Sequence, residues 1–254
     1  MLLEGKNAVI FGVANTRSMA YGIASAFKRE GAKLAFSYAG EAIQKRVLPI
    51  SEELGGEFTF PCDVTSDEEI EAAMQLVKER WGSVDILVHS IAFAPKADLE
   101  GRFLDTSRAG FKTAMDVSVY SLPALCHAFE PILNPGGSVI AMTYYGAQKV
   151  IGNYNVMGVA KAALEASVRY LAVDLGQKDI RINAISSCPI KTLAASGVSG
   201  FRHMLTHIEE HAPLHRNVTI ENVGNTAVYL ASDFASAVTG EILFNDCGYN
   251  VLGM

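Results

Sequence analysis

Cysteine is scarce in this chain of 254 residues, which contains four of them. The cysteines, Cys62, Cys126, Cys188 and Cys247, stand far apart and form neither a CxxC pair nor a cluster with histidines. This spacing argues against a disulfide-stapled domain and against a structural zinc site, and it is typical of a reducing compartment. We therefore expect a cytoplasmic protein without a metal site.

Charge is also sparse, and there is no excess of basic residues. Charged residues make up 19% of the chain, and 21 Lys and Arg against 27 Asp and Glu give a net charge of −6. Nucleic-acid-binding domains display basic patches, so the composition argues against nucleic acid as a partner.

Long apolar runs that could cross a membrane are missing as well. The longest uncharged stretch, residues 131–148, contains Asn134-Pro135-Gly136-Gly137, which would break a membrane-spanning helix. At the start of the chain, Glu4 and Lys6 interrupt the apolar run that a signal peptide needs. We expect neither a membrane span nor a signal peptide.

Hydrophobic residues, in contrast, make up 50% of the chain. That content excludes a disordered protein, which needs low hydrophobicity and high charge. A chain of this length can bury roughly three quarters of its unfolded surface in one core. The composition is slightly apolar for a monomer and hints at surface lost to subunit contacts.

Short apolar runs alternate with longer helical patterns from end to end. The predicted strands are residues 7–11, 33–38, 58–62, 84–89, 138–143, 180–186 and 242–245. The predicted helices are residues 18–30, 42–54 and 156–175, a long helix that contains residues 117–133, a further one capped by Thr65 or Ser66 and a last one before the seventh strand. This alternation predicts an α/β fold: a single doubly wound Rossmann-type domain over residues 1–254, with a mainly parallel seven-stranded sheet and helices on both faces.

An irregular segment follows the sixth strand, at about residues 187–213. Doubly wound sheets bind their ligands beyond the carboxyl ends of the strands. The segment is therefore placed to cover a ligand, and we predict that it forms a substrate-binding lid.

The turn after the first strand is rich in small residues and leads into a helix. Gly12, Ala14, Ser18 and Met19 lie in it, and the helix that follows contains Gly22. Such a turn offers unpaired N–H groups and the positive end of a helix dipole to a pyrophosphate. The motif departs from GxGxxG because alanine stands at the second glycine, so a plain strand–helix turn is the alternative.

Two further strand ends carry residues suited to a nucleotide. Asp63 can accept a hydrogen bond from an adenine amino group while Val64 packs on the ring, although Asp63 could equally be a helix-capping residue. Ser90, Ile91 and Ala92 follow the fourth strand and could let the backbone pass close to a nucleotide. Three such strand ends together predict a dinucleotide site.

The end of the second strand bears on which dinucleotide binds. Residues 37–41, which include the predicted cofactor contact Ala39, contain no Arg or Lys that could pair with a 2′-phosphate. Glu41 would repel that phosphate, and Lys45 and Arg46 are expected to face solvent. The sequence therefore favours NADH over NADPH.

Tyrosines and a lysine follow the fifth strand in a distinctive spacing. Tyr144 comes directly after the strand, and Tyr154 precedes Lys161 by seven residues. Residues seven apart differ by nearly two helical turns, so we expect both on one helix face, about 10 Å apart along the axis. A competing Tyr-x3-Lys pair, Tyr145 and Lys149, runs into a poor helix, and its matching serine would fall at Ile132.

These features in combination resemble the bacterial NADH-linked enoyl-acyl-carrier-protein reductases of the short-chain dehydrogenase/reductase superfamily. The resemblance is carried by the strand-five tyrosine, the Tyr-x6-Lys pair, the Gly-x5-Ser turn, residues 189–194, and the closing residues 239–241 and 248–249. It implies reduction of a trans-2-enoyl thioester on acyl carrier protein by NADH, which completes the elongation cycle of type II fatty acid synthesis. It also implies a homotetramer.

The resemblance assigns roles to the site residues. Lys161 is expected to hold the nicotinamide ribose hydroxyls, and Tyr154 to donate a hydrogen bond to the thioester oxygen as it becomes an enolate. A phenol suits this task because its pKa near 10 keeps it protonated at neutral pH. Tyr144 matches a second family tyrosine in the substrate pocket. For each tyrosine, simple packing is the alternative.

The resemblance also suggests further contacts. Cofactor contacts are expected at Ile190, Thr192, Leu193 and Ala194, and substrate contacts at Ala94, Ala195 and Phe201. A helical core stripe is the alternative for the apolar residues of this segment. The chain departs from the family at Ala92, Cys188 and Cys247, where glycine is common; Cys188 could narrow the pocket or leave a modifiable thiol.

Two other functions stay open from the sequence alone. A ketone or alcohol oxidoreductase of the same fold would use Tyr-x3-Lys, so the Tyr-x6-Lys spacing argues against it. An inactive NAD-sensing protein would have no need of both Tyr154 and Lys161. Turnover of an enoyl thioester separates both alternatives from the leading prediction.

Overall fold

Seven strands form one central sheet in the computed structural model, which describes residues 1–190 and 201–253. They are β1 (Asn7–Phe11), β2 (Lys33–Tyr38), β3 (Phe58–Pro61), β4 (Val84–His89), β5 (Leu133–Thr143), β6 (Arg181–Ser187) and β7 (Ile242–Asn245). The order is β3-β2-β1-β4-β5-β6-β7, and every neighbouring pair is parallel. The predicted seven-stranded, doubly wound sheet is confirmed, and it is parallel throughout.

Helices cover both faces of this sheet. They are α1 (Met19–Arg29), α2 (Gly40–Leu54), α3 (Asp67–Trp81), α4 (Arg108–Met115), α5 (Ser121–Phe129), α6 (Asn155–Gly176), α7 (Phe201–His211) and α8 (Ile220–Ala231). Strand side chains alternate between the faces: Ala8 and Ile10 of β1 pack with α1, α2 and α8, whereas Val9 and Phe11 pack with α3, α5 and α6.

Side-chain caps fix where several helices begin. The hydroxyl of Ser18 accepts from the backbone N–H of Tyr21 at 3.3 Å and starts α1. The hydroxyl of Ser66 accepts from Glu69 at 3.2 Å and starts α3, which settles the choice between Thr65 and Ser66. Each cap satisfies an N–H group that the first helical turn leaves without a partner.

The prediction that residues 117–133 lie in one long helix is wrong in its continuity and at its C-terminal end. Helical structure begins at Arg108, passes through a π turn at Asp116–Tyr120 and ends as α5 at Phe129, with a short 3-10 turn before β5. Pro123 lies three residues beyond the π turn. Because proline has no N–H and its ring crowds the preceding turn, a local widening of the helix accommodates it.

The fifth strand begins five residues earlier than predicted. Leu133 already pairs with Val84, and pairing then resumes with Ser138 opposite Ile86. Residues 134–137 form an outward excursion in which Gly136 has a φ of +78°. The register with β4 shifts across this excursion and pairing then continues to Thr143 at the end of the strand, so the turn residues interrupt β5 without ending it.

Two searches of the described residues gave no candidates. None of the described helices is long and apolar enough to cross a membrane. Within residues 1–190 and 201–253, no three His, Cys, Asp or Glu side chains group in a way that could hold a metal ion.

Candidate active site

A cavity of about 400 Å³ opens at the carboxyl ends of β4, β5 and β6. Its wall is mostly apolar, with hydroxyl groups and the ammonium groups of Lys96 and Lys161 among the lining side chains. Nine of the predicted site residues line it together: Met19, Ser90, Ile91, Ala92, Ala94, Tyr144, Tyr154, Lys161 and Ile190. Residues distant in the chain thus converge on one space where doubly wound sheets bind ligands.

The other described cofactor candidates do not line this cavity. Gly12, Ala14, Ser18, Ala39, Asp63 and Val64 follow β1, β2 and β3, farther along the same edge of the sheet. They therefore lie beyond the cavity, along the edge of the sheet at which doubly wound folds bind elongated ligands.

Gly12 brings two of these strand ends unusually close. A Cβ at this position would lie 2.1 Å from the carbonyl oxygen of Ser90, and φ is +99°. Glycine alone permits both the close approach and this backbone conformation. The β1 turn therefore lies directly against the β4 turn and leaves the edge clear of side chains at that point.

Ser18 occupies the start of α1 beside this turn. Its hydroxyl donates to the carbonyl of Asn15 at 2.7 Å and also accepts from Tyr21. The hydroxyl thus shapes the turn and caps the helix, whose N-terminal end carries a partial positive charge.

Asp63 does not cap α3, the alternative to an adenine contact, because Ser66 is the N-cap residue; Asp63 forms a local turn instead. One carboxylate oxygen accepts from the Thr65 N–H at 3.0 Å and from the Thr65 hydroxyl at 2.8 Å. The residue is exposed, and the neighbouring Val64 is buried. These bonds use one carboxylate oxygen, so a contact with adenine stays a prediction.

Lys161 lies on α6 and points into the cavity from a buried position. Its ammonium donates to the carbonyl of Met142, near the end of β5, at 2.7 Å. Burial lowers the pKa of Lys161 to about 8, and the nearby charge of Glu165 opposes the shift. A buried cation with remaining donors suits the binding of hydroxyl groups.

Tyr154 is the N-cap residue of α6 and not part of the helix proper. The prediction that Tyr154 and Lys161 share one helix face is therefore wrong in detail, although both line the same cavity. Asn153 and Asn155 on either side have φ values of +60° and +28°. Asparagine tolerates positive φ better than most residues, and such conformations cluster at functional sites.

Tyr144 and Tyr154 pack edge to face on the wall of the cavity. Their ring centroids lie 4.9 Å apart and the ring planes are nearly perpendicular, at 85°. Burial is the main cause that raises the pKa of both phenols well above the usual value. Both hydroxyls are therefore protonated at neutral pH and able to donate.

The competing Tyr145 and Lys149 pair lies away from this arrangement. Lys149 is exposed. The Tyr145 ring packs edge-on against Phe244 and Tyr249, and its hydroxyl donates to the Asn250 carbonyl at 3.4 Å. Neither residue lines the cavity.

The two cysteines noted as departures lie beside each other at the ends of β6 and β7. Cys188 lines the cavity, and its thiol contacts the carbonyl oxygen of Asp246 at 3.5 Å. Burial raises the pKa of the Cys188 thiol to about 12, so it is not a reactive thiolate at neutral pH. Cys247 has a φ of +58°, a conformation that glycine adopts more readily.

Several predicted residues fall outside the described structure. These are Thr192, Leu193, Ala194 and Ala195, together with the side chain of Phe201. Part of the predicted lid, about residues 187–213, falls there too. The described residues at its two ends, Cys188 to Ile190 and Met204, line the cavity.

Sequence reasoning missed apolar residues of the cavity wall. Phe93, Leu99, Ile151 and Met157 line it without having been predicted. A signal existed for Met157, which lies four residues before Lys161 on α6 and hence on the same face. The other three lie in loops, where no periodicity indicates direction.

The fold and the cavity define a class of protein. A doubly wound parallel sheet with a cavity tyrosine and a buried helix-borne lysine at its carboxyl edge is typical of the short-chain dehydrogenases/reductases, which bind nicotinamide cofactors. A family profile described as Enoyl-(Acyl carrier protein) reductase matches residues 12–250. The chain belongs to the enoyl-(acyl carrier protein) reductase family.

Curated relatives and solved structures agree with this assignment. Enoyl-(acyl-carrier-protein) reductase (NADH) 1 of Rhizobium meliloti is 54% identical, and the match covers 100% of this chain and 93% of the relative. The crystal structure of the Aquifex aeolicus NADH enzyme has a TM-score of 0.97 at 52% identity, with 100% of both chains covered. The Bacillus cereus reductase, crystallised with NADP+ and an indole naphthyridinone, has a TM-score of 0.98 at 50% identity, covering 100% of this chain and 99% of that one.

Proposed function

We propose that this chain is an NADH-dependent enoyl-acyl-carrier-protein reductase, which reduces a trans-2-enoyl thioester in bacterial fatty acid elongation. The pair formed by the half-buried Tyr154 and the buried Lys161, both lining one apolar cavity, carries this proposal. The full-length identity of 54% to a named NADH enzyme supports it. A ketone reductase or an inactive sensor has no comparable support.

The residues of the sheet edge fit a nicotinamide dinucleotide. The glycine approach between Gly12 and Ser90 leaves room for a pyrophosphate, and the start of α1 favours its charge. The Lys161 ammonium would hold the ribose hydroxyls. NADH supplies the hydride that reduces C3 of the enoyl thioester.

We assign the central catalytic role to Tyr154. As C3 gains a hydride, negative charge develops on the thioester oxygen, and a phenol donor stabilises it best when it is fixed in advance. The hydroxyl of Tyr154 is protonated, and the backbone around it is held by the turn into α6. The apolar wall keeps water away and strengthens this hydrogen bond.

Tyr144 and the apolar residues around it form the substrate side of the cavity. Tyr144 packs on the ring of Tyr154 and its hydroxyl contacts the sulfur of Met204 at 3.5 Å. Ala94 and Met157 add apolar surface suited to an acyl chain. We propose that Tyr144 orients the thioester, and that residues 187–213 cover it.

NADH is the expected cofactor because nothing near the end of β2 pairs with a 2′-phosphate. Ala39 and Glu41 are exposed, and the hydroxyl of Tyr38 accepts from the side chain of Gln44 at 2.9 Å. A carboxylate close to the ribose disfavours the extra phosphate of NADPH.

The direct test follows the loss of reduced-nicotinamide absorbance with a medium-chain trans-2-enoyl thioester. NADH and NADPH are compared in parallel, and Tyr154→Phe is compared with the wild type. We expect turnover with NADH, and a fall in kcat of about 10²-fold or more in Tyr154→Phe with NADH binding retained. Turnover that survives unchanged in the variant would move the chemistry to Tyr144. Absent turnover with NADH still bound would favour a ketone reductase or a sensor.

We also propose a homotetramer in the cytoplasm. Val159, Tyr170 and Val173 recur at helical spacing on one exposed stripe of α6, with 38%, 79% and 69% of each residue exposed. A stripe of this kind is typical of a subunit contact.

The proposed cytoplasmic location is supported by the cysteines. The four described cysteines are free, as a reducing compartment keeps them. Light scattering of the purified protein and cell fractionation test the two points.

A further inference from the structure

We propose that Glu165 is a positioning residue, whose buried carboxylate holds the Lys161 ammonium in the charged form needed to bind the cofactor ribose. The inference rests on the proposed role of Lys161 in NADH binding. It adds a residue outside the cavity wall, one that contacts neither cofactor nor substrate. Glu165 acts entirely through Lys161.

Glu165 and Lys161 are anchored to neighbouring residues of one strand end. The carboxylate of Glu165 accepts from the hydroxyl of Thr143 at 2.9 Å. Lys161 donates to the carbonyl of Met142, the residue before Thr143. Side chains four apart on a helix lie on the same face, with Cβ atoms about 6 Å apart. These two hydrogen bonds therefore hold the Glu165 carboxylate and the Lys161 ammonium side by side along the end of β5.

A buried carboxylate in this position calls for an explanation beyond packing. Glu165 and Lys161 are each only 5% exposed, and an isolated buried charge costs much free energy. A neutral amide could accept from Thr143 equally well. What an amide could not supply is a negative charge next to the buried ammonium.

The electrostatics agree with this interpretation. Burial lowers the pKa of Lys161 to about 8, and the charge of Glu165 opposes that shift. Burial raises the pKa of Glu165, whereas hydrogen bonds from Thr143 and Gln148 and the charges of Arg169 and Lys161 oppose the rise. The bonds from Thr143 and Gln148 thus favour the ionised carboxylate.

Three other titratable groups near Lys161 are neutral, and Lys96, which also lines the cavity, is exposed. His89 on β4 is fully buried, and burial first and the Lys161 charge second lower its pKa to about 3. Tyr144 and Tyr154 stay protonated. Elements packed against this part of α6 also contribute the hydroxyls of Ser118, Ser121, Thr143 and Ser186, whereas Arg108, Lys112, Asp116 and, on α6 itself, Arg169 are exposed. Among the described residues, Glu165 is the anion that stabilises the ammonium.

The test measures NADH binding to the apoenzyme between pH 6 and pH 9 by fluorescence. The variants are Glu165→Gln, which keeps the hydrogen-bond acceptor but loses the charge, and Glu165→Asp, which keeps the charge. Asp174→Asn removes one negative charge from an exposed position on the same helix, about 20 Å from Lys161 along the axis, and serves as the matched control.

Wild-type affinity should fall as the pH rises through about 8, the pKa of Lys161. Removing a charge at this distance should lower that midpoint by about one pH unit in Glu165→Gln. The dissociation constant would then rise about fivefold at pH 8 and change little at pH 6. Glu165→Asp should restore most of the wild-type midpoint, and Asp174→Asn should leave it unchanged.

Other outcomes overturn the inference. A midpoint unchanged in Glu165→Gln, or a loss of affinity equal at every pH, would reduce Glu165 to a structural residue. If Glu165→Gln fails to fold, Thr143→Val carries the test, because loss of that hydrogen bond should shift the midpoint in the same direction by a smaller amount. A wild type that binds no NADH would overturn the proposed function itself. A wild type that binds NADH with a midpoint that Glu165→Gln leaves unchanged would overturn only the role of Glu165.

Discussion

A side chain at Gly146 would collide with the ring of Tyr154. An added Cβ would lie 2.7 Å from one ring carbon of Tyr154 and 2.9 Å from the next. The same atom would lie 3.3 Å from the ring of Tyr144. The glycine thus sets how closely the turn after β5 approaches the two tyrosines.

Gly146→Ala should therefore impair catalysis by displacing the Tyr154 hydroxyl. We expect kcat to fall by about tenfold to a hundredfold, because a misplaced donor loses much of its effect on the developing charge. Gly152→Ala is the matched control, since a Cβ there meets nothing within 4 Å. Steady-state kinetics of both variants give the comparison; equal activity would show that Tyr154 does not depend on this contact.

Gly12→Ala should disrupt the cofactor side of the site. The added carbon would lie 2.1 Å from the Ser90 carbonyl oxygen, and the positive φ is unfavourable for alanine. We expect a loss of about 2–4 kcal/mol in the free energy of unfolding, together with weaker NADH binding. Gly176→Ala, at the open end of α6, should leave both properties near the wild type when measured by urea unfolding and fluorescence.

Lys161 should make stability depend on pH in a defined direction. Its folded pKa of about 8 lies below the ordinary value of 10.5, so folding penalises the charged form. The penalty is fully present below pH 8 and is relieved as the pH rises towards 10.5, up to about 3 kcal/mol. Urea unfolding of the wild type and Lys161→Met at pH 7 and pH 10 should show the wild type gaining stability relative to the variant. A constant difference would contradict the buried, charged lysine.

Ala39→Arg should shift the cofactor preference towards NADPH. Ala39 is exposed at the end of β2, and α2 begins at the next residue, so the longer side chain has room. A guanidinium there could pair with a 2′-phosphate. We expect kcat/KM with NADPH to rise about tenfold or more, whereas Ala72→Arg, exposed on α3, should change neither cofactor. An unchanged ratio would place the 2′-position elsewhere.

The sequence predicted the sheet because its strands are apolar runs separated by turn residues, and β7 was placed with the right bounds. It misplaced the start of β5, since the Asn-Pro-Gly-Gly excursion reads locally as a loop while Leu133 pairs with Val84. It did not foresee α4, because that helix packs through few apolar residues, among them Ala114. At the start of β5 and at α4, contacts with segments distant in the sequence determine the local structure.

The site was predicted through polar residues with fixed spacing. The sequence predicted Tyr154 and Lys161 because the proposed chemistry requires a tyrosine and a lysine at a particular spacing. Glu165 escaped notice, since an acid on a long helix is ordinarily a solvated residue, and only the structure shows it buried against Thr143. Phe93 and Ile151 escaped notice because loop residues show no pattern of direction.

The pairing of β1 with β4 has a consequence for how this molecule assembles. The paired strand residues Ala8 and Ile86 are separated by most of the first third of the chain. β4 also pairs with β5, which follows later in the chain. Contacts so remote in sequence form slowly, because long loops must close before any pairing stabilises them. The cavity wall draws on residues from Met19 to Met204. On dilution from denaturant, helical ellipticity should thus recover well before enzymatic turnover, and chains arrested between the two stages would expose the unpaired edge of β1.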